Sequence, residues 1–223
     1  MVIVAGGQST RTAGEELKQF RWIAGKPMLL HSLQAFMARP DVCFVVCVVP
    51  QQYVADPPPW IFQCDVDRLL LSVGGRTRTE SARNGLADLP NDATIALIHD
   101  AARPFIDNEA VDRVVGAARE GKCAVPGLPE VDTIKEVDSE GRVTKTLERE
   151  RLWRVQTPQG FPRGLIERAH REAREANASA TDDAALCERI GLPVVIVPGS
   201  RRTLKVTHED DFARVEALSA ASK

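Results

Sequence analysis

Short runs of nearly unbroken apolar residues recur along this chain, and each is followed by a segment in which apolar residues return at helical spacing. Met1-Val-Ile-Val4, Val42-Cys-Phe-Val-Val-Cys-Val-Val49, Leu69-Leu-Leu-Ser-Val73 and Thr94-Ile-Ala-Leu-Ile98 are the first four such runs. A strand with one wet face alternates polar and apolar residues, whereas a strand covered on both faces reads as apolar throughout. Between these runs, Met28, Leu29, Leu33, Phe36 and Met37 follow Pro27 and stop before Pro40, Glu80 to Leu89 stops at Pro90, and Asn108 to Glu120 gives a third helical segment. Strands alternating with helices at this rhythm make right-handed βαβ crossovers, so the expected fold is α/β: a Rossmann-like, three-layer α/β/α domain around a mostly parallel sheet. A chain of 223 residues has room for one large domain or two small ones, and the unbroken rhythm favours a single domain over 1–223.

The rhythm breaks after Pro126. Thr133 to Val137, a turn at Asp138-Ser-Glu-Gly141, and Arg142 to Leu147 alternate with period two and predict a β-hairpin. Its low apolar content gives it little stability of its own, so a second subunit is its expected support. The chain then returns to helix over 162–176 and 181–190, strand over 193–197, a short strand over 203–207, and helix over 208–219.

Charge and composition exclude several classes. The 29 Lys and Arg against 31 Asp and Glu leave a formal charge of −2, which offers no general attraction to nucleic acid or anionic membrane, so any basic site is local. Five cysteines without Cys-x-x-Cys spacing read as reduced thiols, with Cys43 and Cys47 expected on one buried strand face. The four histidines have no metal-ligand spacing. No apolar run has the length of a membrane span, and no secretory signal pattern opens the chain, so the expected compartment is the cytoplasm.

In open α/β sheets ligands bind beyond the carboxyl ends of the strands. Three marked loops each follow a predicted strand: Ala5 to Arg11, Gly74 to Arg78 and His99 to Pro104. Ala5-Gly-Gly-Gln-Ser-Thr-Arg11 has the spacing of neither the dinucleotide fingerprint nor the Walker A loop. Its glycines would let backbone N–H groups approach phosphate, and Arg11 and Lys18 would offset the charge of a triphosphate; surface ion pairing would account for the same two cations. Asp100, at the end of a buried strand, would anchor the divalent ion that accompanies a nucleoside triphosphate, or pair with Arg103, or cap a helix. Asp132 to Lys135 and Arg149 to Pro158 flank the hairpin with basic and hydroxyl groups suited to a second phosphate. No serine–histidine–carboxylate arrangement is evident.

Five segments in order carry a resemblance: His99-Asp-Ala-Ala-Arg-Pro-Phe105, Val131-Asp-Thr-Ile-Lys135, Leu152-Trp-Arg-Val-Gln-Thr-Pro-Gln159, Thr181-Asp-Asp-Ala184 and Leu204-Lys-Val-Thr207. With them the chain resembles, over essentially its whole length, the 2-C-methyl-D-erythritol 4-phosphate cytidylyltransferases of non-mevalonate isoprenoid biosynthesis. The resemblance implies transfer of the cytidylyl group of CTP to methylerythritol phosphate with release of pyrophosphate. It makes Arg11 and Lys18 the catalytic cations, and assigns Ala5, Gly6, Gly7, Gly75, Arg78, Ser81 and Ala101 to the nucleotide. Arg103, Thr133, Arg149, Thr157 and Lys205 fall on the substrate side, and Asp100 near a magnesium ion that bridges the triphosphate. The hairpin, within an inserted arm at 132–156, corresponds to a dimerisation arm, so a homodimer with shared active sites is expected, Thr133 and Arg149 reaching the neighbouring subunit's substrate.

The sequence departs from the family pattern at Ser9, Thr12, Leu17 and Thr203, changes that bear on the rigidity of the loops more than on the reaction class. A different polyol phosphate, such as ribitol 5-phosphate, is the close alternative substrate, with Ala102 and the Trp153 segment favouring methylerythritol phosphate. A noncatalytic nucleotide-binding protein is the alternative of another class.

Overall fold

A computed structural model describes residues 1–7 and 17–220. Strand β1 (Val2–Val4) opens the chain. A single 3-10 turn at Lys18–Phe20 leads into a small ribbon, β2 (Trp22–Ile23) and β3 (Lys26–Pro27), and then helix α1 (Met28–Met37). Next come β4 (Val45–Val49), the short α2 (Gln51–Ala55), β5 (Leu69–Val73), α3 (Arg78–Ala87), β6 (Ile95–Asp100) and α4 (Asn108–Arg119). The second half contains β7 (Cys123–Pro129), the hairpin strands β8 (Lys135–Val137) and β9 (Val143–Thr146), β10 (Trp153–Val155) and β11 (Gln159–Pro162). Helices α5 (Arg163–Glu175) and α6 (Asp183–Arg189), strand β12 (Val194–Pro198) and helix α7 (Asp210–Ala220) follow.

Eight strands form the main sheet in the order β10-β7-β11-β6-β1-β4-β5, with β12 paired to β7. The first-half strands, β5, β4, β1 and β6, are parallel, as the βαβ rhythm predicts. The second half is mixed, because β11 runs antiparallel to both β6 and β7 while β12 is parallel to β7.

The apolar runs are apolar throughout because successive residues feed different layers. Ile3, Val45, Cys47, Val49 and Leu97 pack with α1 and α4 on one face, while Val2, Val46, Val48, Ala96 and Ile98 pack with α3, α5 and α6 on the other. A third, smaller cluster joins Ile23 and Met28 to Val206, Phe212 and Val215, so that α7 and the β2–β3 ribbon clamp the segment 203–207 from outside the sheet.

Several expectations change. Segment 203–207 has no regular secondary structure and lies outside any sheet, held by Val206 N–H donating to the Ala102 carbonyl at 2.8 Å. Cys43 precedes β4 and is exposed, while Cys47 is buried as expected. Among the described residues, the hairpin β8–β9 is a separate two-stranded sheet. Trp153–Val155, placed at the sequence level in the arm, pairs instead with β7 in the main sheet. No described helix is long and apolar enough to cross a membrane.

Candidate active site

The carboxyl edge of the parallel strands carries the loop after β1, the loop after β5 and the end of β6, and these three converge. Gly6 and Gly74 meet over the end of β4 so closely that a Cβ built on Gly6 would lie 3.1 Å from the Gly74 Cα. Any larger residue at either position would push the two loops apart. Ala5 is buried, with its N–H on the Val48 carbonyl at 2.8 Å and its own carbonyl accepting from Gln19 Nε2 at 2.6 Å. Ser81 Oγ accepts from the Gly75 N–H at 3.0 Å and donates to the Thr77 carbonyl at 2.9 Å, fastening the second loop to the first turn of α3. Thr77 caps that helix by accepting from the Glu80 N–H at 3.0 Å. The positive end of α3 therefore faces the convergence.

Between these loops lies a cleft of about 770 Å³ whose lining includes Gly6, Gly7, Gly75, Arg78, Asp100 and Lys205. Asp100 is its one carboxylate among the described residues. Arg78 Nε donates to Asp100 Oδ1 at 3.0 Å, and Lys205 Nζ donates to Oδ2 at 2.7 Å. Burial opposes ionisation of Asp100, yet the charges of Arg78 and Lys205 outweigh it and hold the carboxyl well below the usual carboxylate range. Arg78 is in turn shared with Asp183 at the start of α6, its Nη1 donating to Oδ2 at 2.7 Å. Lys18 Nζ donates to the Val206 carbonyl at 2.8 Å, which brings the 3-10 turn beside the residue next to Lys205.

The Asp100–Arg103 ion pair, one of the alternatives for these residues, does not form among the described side-chain contacts. Arg103 is buried, donating from Nη1 to the Thr203 carbonyl at 2.7 Å and from Nη2 to the Val155 carbonyl at 3.2 Å. Thr157 is buried as well, bonded to His99 Nδ1 at 2.9 Å and accepting from the Asp100 N–H at 3.2 Å. Ala101 is buried, its N–H on the Val4 carbonyl at 3.1 Å. These three lie behind the cleft surface, where they fix Asp100 and segment 203–207. Thr133 and Arg149 are exposed and outside the cleft lining, and Arg149 Nη1 donates to the Val131 carbonyl at 3.2 Å. Arg11 lies outside the described residues, as do Ser9 and Thr12. Sequence reasoning gave no role to Asp183 or Gln19. Asp183 stands 105 positions from Arg78, and only its place in the Thr181-Asp-Asp-Ala184 segment marked it.

The family model described as "IspD: 2-C-methyl-D-erythritol 4-phosphate cytidylyltransferase" matches residues 1–220. The chain belongs to this family. It is 38% identical over 220 residues to the 2-C-methyl-D-erythritol 4-phosphate cytidylyltransferase of Syntrophus aciditrophicus, covering 97% of this chain and 94% of that one. It is 41% identical over 228 residues to a bifunctional IspD/IspF enzyme of Solidesulfovibrio magneticus, covering 98% of this chain and 56% of that longer protein. The crystal structure of the Thermus thermophilus 2-C-methyl-D-erythritol 4-phosphate cytidylyltransferase superposes with a TM-score of 0.81 at 33% identity, covering 99% of this chain and 98% of that one. As a member of the IspD family the chain is a nucleotidyltransferase of isoprenoid biosynthesis, joining CTP to 2-C-methyl-D-erythritol 4-phosphate.

Proposed function

We propose that the cleft beneath Gly6 and Gly74 holds the nucleotide and that the polyol phosphate enters from the side of Lys205 and Lys18. The observation that carries this reading is the cluster of Arg78, Asp100 and Lys205 at the ends of the two glycine loops and β6. Both reactants are polyanions, so the protein's work is to bring them together and to neutralise the charge that builds in an in-line transition state. The glycine backbone, Ser81 and the start of α3 accommodate the nucleotide. Arg11 and Lys18 stabilise the α-phosphate as pyrophosphate leaves, and Lys205 holds the incoming phosphate. A phosphate monoester is already a nucleophile near neutral pH, so the cleft needs no general base. Arg103 and Thr157 serve indirectly, by fixing the backbone that carries Lys205 and Asp100.

A magnesium ion fits the donors in a limited way. Asp100 offers hard carboxylate oxygens, each with a lone pair beyond the one its cation takes, and no group of three candidate ligands exists among the described residues. Asp100 would therefore be a single protein ligand beside triphosphate oxygens and water. Bound there, magnesium would neutralise triphosphate charge. Thr133 and Arg149 act across a homodimer formed through the hairpin, where Val131, Val137 and Val143 are exposed apolar residues suited to burial. The enzyme works in the cytoplasm, in keeping with its free cysteines.

Incubation with CTP, magnesium and either methylerythritol phosphate or ribitol 5-phosphate tests the substrate; pyrophosphate release with ribitol phosphate alone would overturn it. Lys18→Ala is expected to lower kcat by about 10²–10³-fold, the cost typical of losing one transition-state charge partner, with the melting temperature retained. An unchanged kcat would remove Lys18 from the chemistry.

A further inference from the structure

Arg78 is gripped from two sides, and only one grip belongs to the cleft. Asp100 holds Nε from within it, while Asp183 holds Nη1 from α6, where its side chain is 1% exposed and absent from the cleft lining. Asp183 is itself fixed. Its backbone N–H and that of Ala184 both donate to Gln159 Oε1 at 3.1 Å, and Gln159 Nε2 donates to Asp182 Oδ2 at 2.8 Å. Gln159 sits on β11, the neighbour of β6, so both carboxylates that grip Arg78 are referenced to one strand pair.

Behind Asp183 stands His170, buried on α5, with Nε2 at 3.0 Å from Asp183 Oδ1. An ionised carboxylate only accepts, so Nε2 carries the proton. Nδ1 is buried with no partner among the described residues. Asp183 thus has one oxygen on His170 and the other on Arg78.

A guanidinium held through a single nitrogen can swing, whereas one held through two different nitrogens by fixed carboxylates has its plane set. The nitrogen left over, Arg78 Nη2, is buried and has no protein partner among the described residues. We propose that Asp183, backed by His170, is a positioning residue for the nucleotide: it sets the plane of Arg78, whose side chain is 24% exposed and lines the cleft, so that the guanidinium keeps a fixed orientation toward CTP. The proposal rests on the reading that Arg78 contacts the nucleotide. Without Asp183, Arg78 would turn both forks of its guanidinium onto Asp100 and leave the nucleotide unmet.

Calorimetric CTP binding and steady-state pyrophosphate release on Asp183→Asn, Arg78→Ala and the double variant test it, with the melting temperature of each recorded. Asp183→Asn is expected to raise Kd and KM for CTP about tenfold, with KM for methylerythritol phosphate kept within about twofold. On the Arg78→Ala background the same change is expected to cost CTP nothing further, which a merely structural role for Asp183 would not produce. If the Asp183→Asn loss persists in full on that background, the positioning role is overturned and the Arg78 assignment stands. If Arg78→Ala leaves CTP binding unchanged, both fall together. Should Asp183→Asn not fold, Asp183→Glu keeps the charge but displaces the carboxylate by one methylene, and unchanged CTP affinity in that variant overturns the proposal.

Discussion

His99 is the residue on which the back wall of the cleft turns. Its Nε2 faces the Arg103 carbonyl at 2.9 Å and must donate, which leaves Nδ1 of the neutral ring to accept from the Thr157 hydroxyl. Thr157 Oγ1 in turn accepts from the Asp100 N–H at 3.2 Å. One chain of directed bonds thus ties the carboxylate-bearing residue to the ring and the ring to Arg103. Burial pushes the His99 pKa down to about 4 from its ordinary 6.5. In the unfolded chain the ring takes its proton near pH 6.5, whereas in the fold it resists until about pH 4, so the unfolded state binds more protons between the two values. Its contribution is present in full above pH 6.5 and is lost as pH falls through that window, by up to about 3 kcal/mol. Urea midpoints measured across it should fall with acidification, and His31, whose pKa is also lowered by burial, adds in the same direction. His99→Gln should flatten the slope whatever it does to absolute stability; an unaltered slope would assign the acid sensitivity elsewhere.

At the scale of elements, the parallel half of the sheet was legible because double coverage leaves a simple imprint of apolar residues without alternation. In the mixed half only β12, expected at 193–197 and found at Val194–Pro198, was legible. β7, Cys123-Ala-Val-Pro-Gly-Leu-Pro129, is interrupted by two prolines and a glycine and has no element assigned to it from the sequence, yet it is paired along its length with β10, β11 and β12. Residues 203–207 alternate like a strand, but their alternation records burial of Val206 under α7 with Lys205 turned to Asp100. Taken by themselves, Asp100 and Lys205 were a strand-end carboxylate and a lone lysine whose roles came only from the family resemblance, and the fold joins them directly. Thr203, a departure from the family pattern, offers its carbonyl to Arg103, a contact that survives a change of side chain. Helix α3 carries a testable imprint of the packing: a Cβ on Gly85 would meet Val2 Cγ1 at 2.5 Å and Val48 Cγ2 at 2.7 Å. Helix propensity favours alanine over glycine by about 1 kcal/mol, while overpacking a rigid sheet face costs about 1–3 kcal/mol. The clash is with β-branched side chains of two central strands, so it should win. Gly85→Ala is expected to lower unfolding free energy in urea by up to about 2 kcal/mol net, and a stabilised variant would show that α3 can lift from the sheet.

For the whole molecule, the decisive point is that one chain does not bring all of its expected site residues together. Gly6, Gly75, Arg78, Asp100 and Lys205 line one cleft, while Thr133 and Arg149 stand exposed on a hairpin joined to no other sheet among the described residues. A small two-stranded ribbon is marginal in water, and β8 and β9 expose Val137 and Val143, which a second copy would cover. A symmetric dimer would give each cleft the hairpin of its partner. Subunits carrying Arg11→Ala and Arg149→Ala then complement each other: in the mixed dimer one site has both defects and the other has neither. Random exchange makes about half of the dimers mixed, each with one intact site of two, so an equal mixture should recover about a quarter of wild-type activity from two nearly inactive parents. Tagging the two chains differently and purifying the mixed dimer raises the expected value to about half. Purified mixed dimers with no more activity than their parents would mean that Arg149 serves the cleft of its own chain, and the hairpin would lose its part in catalysis.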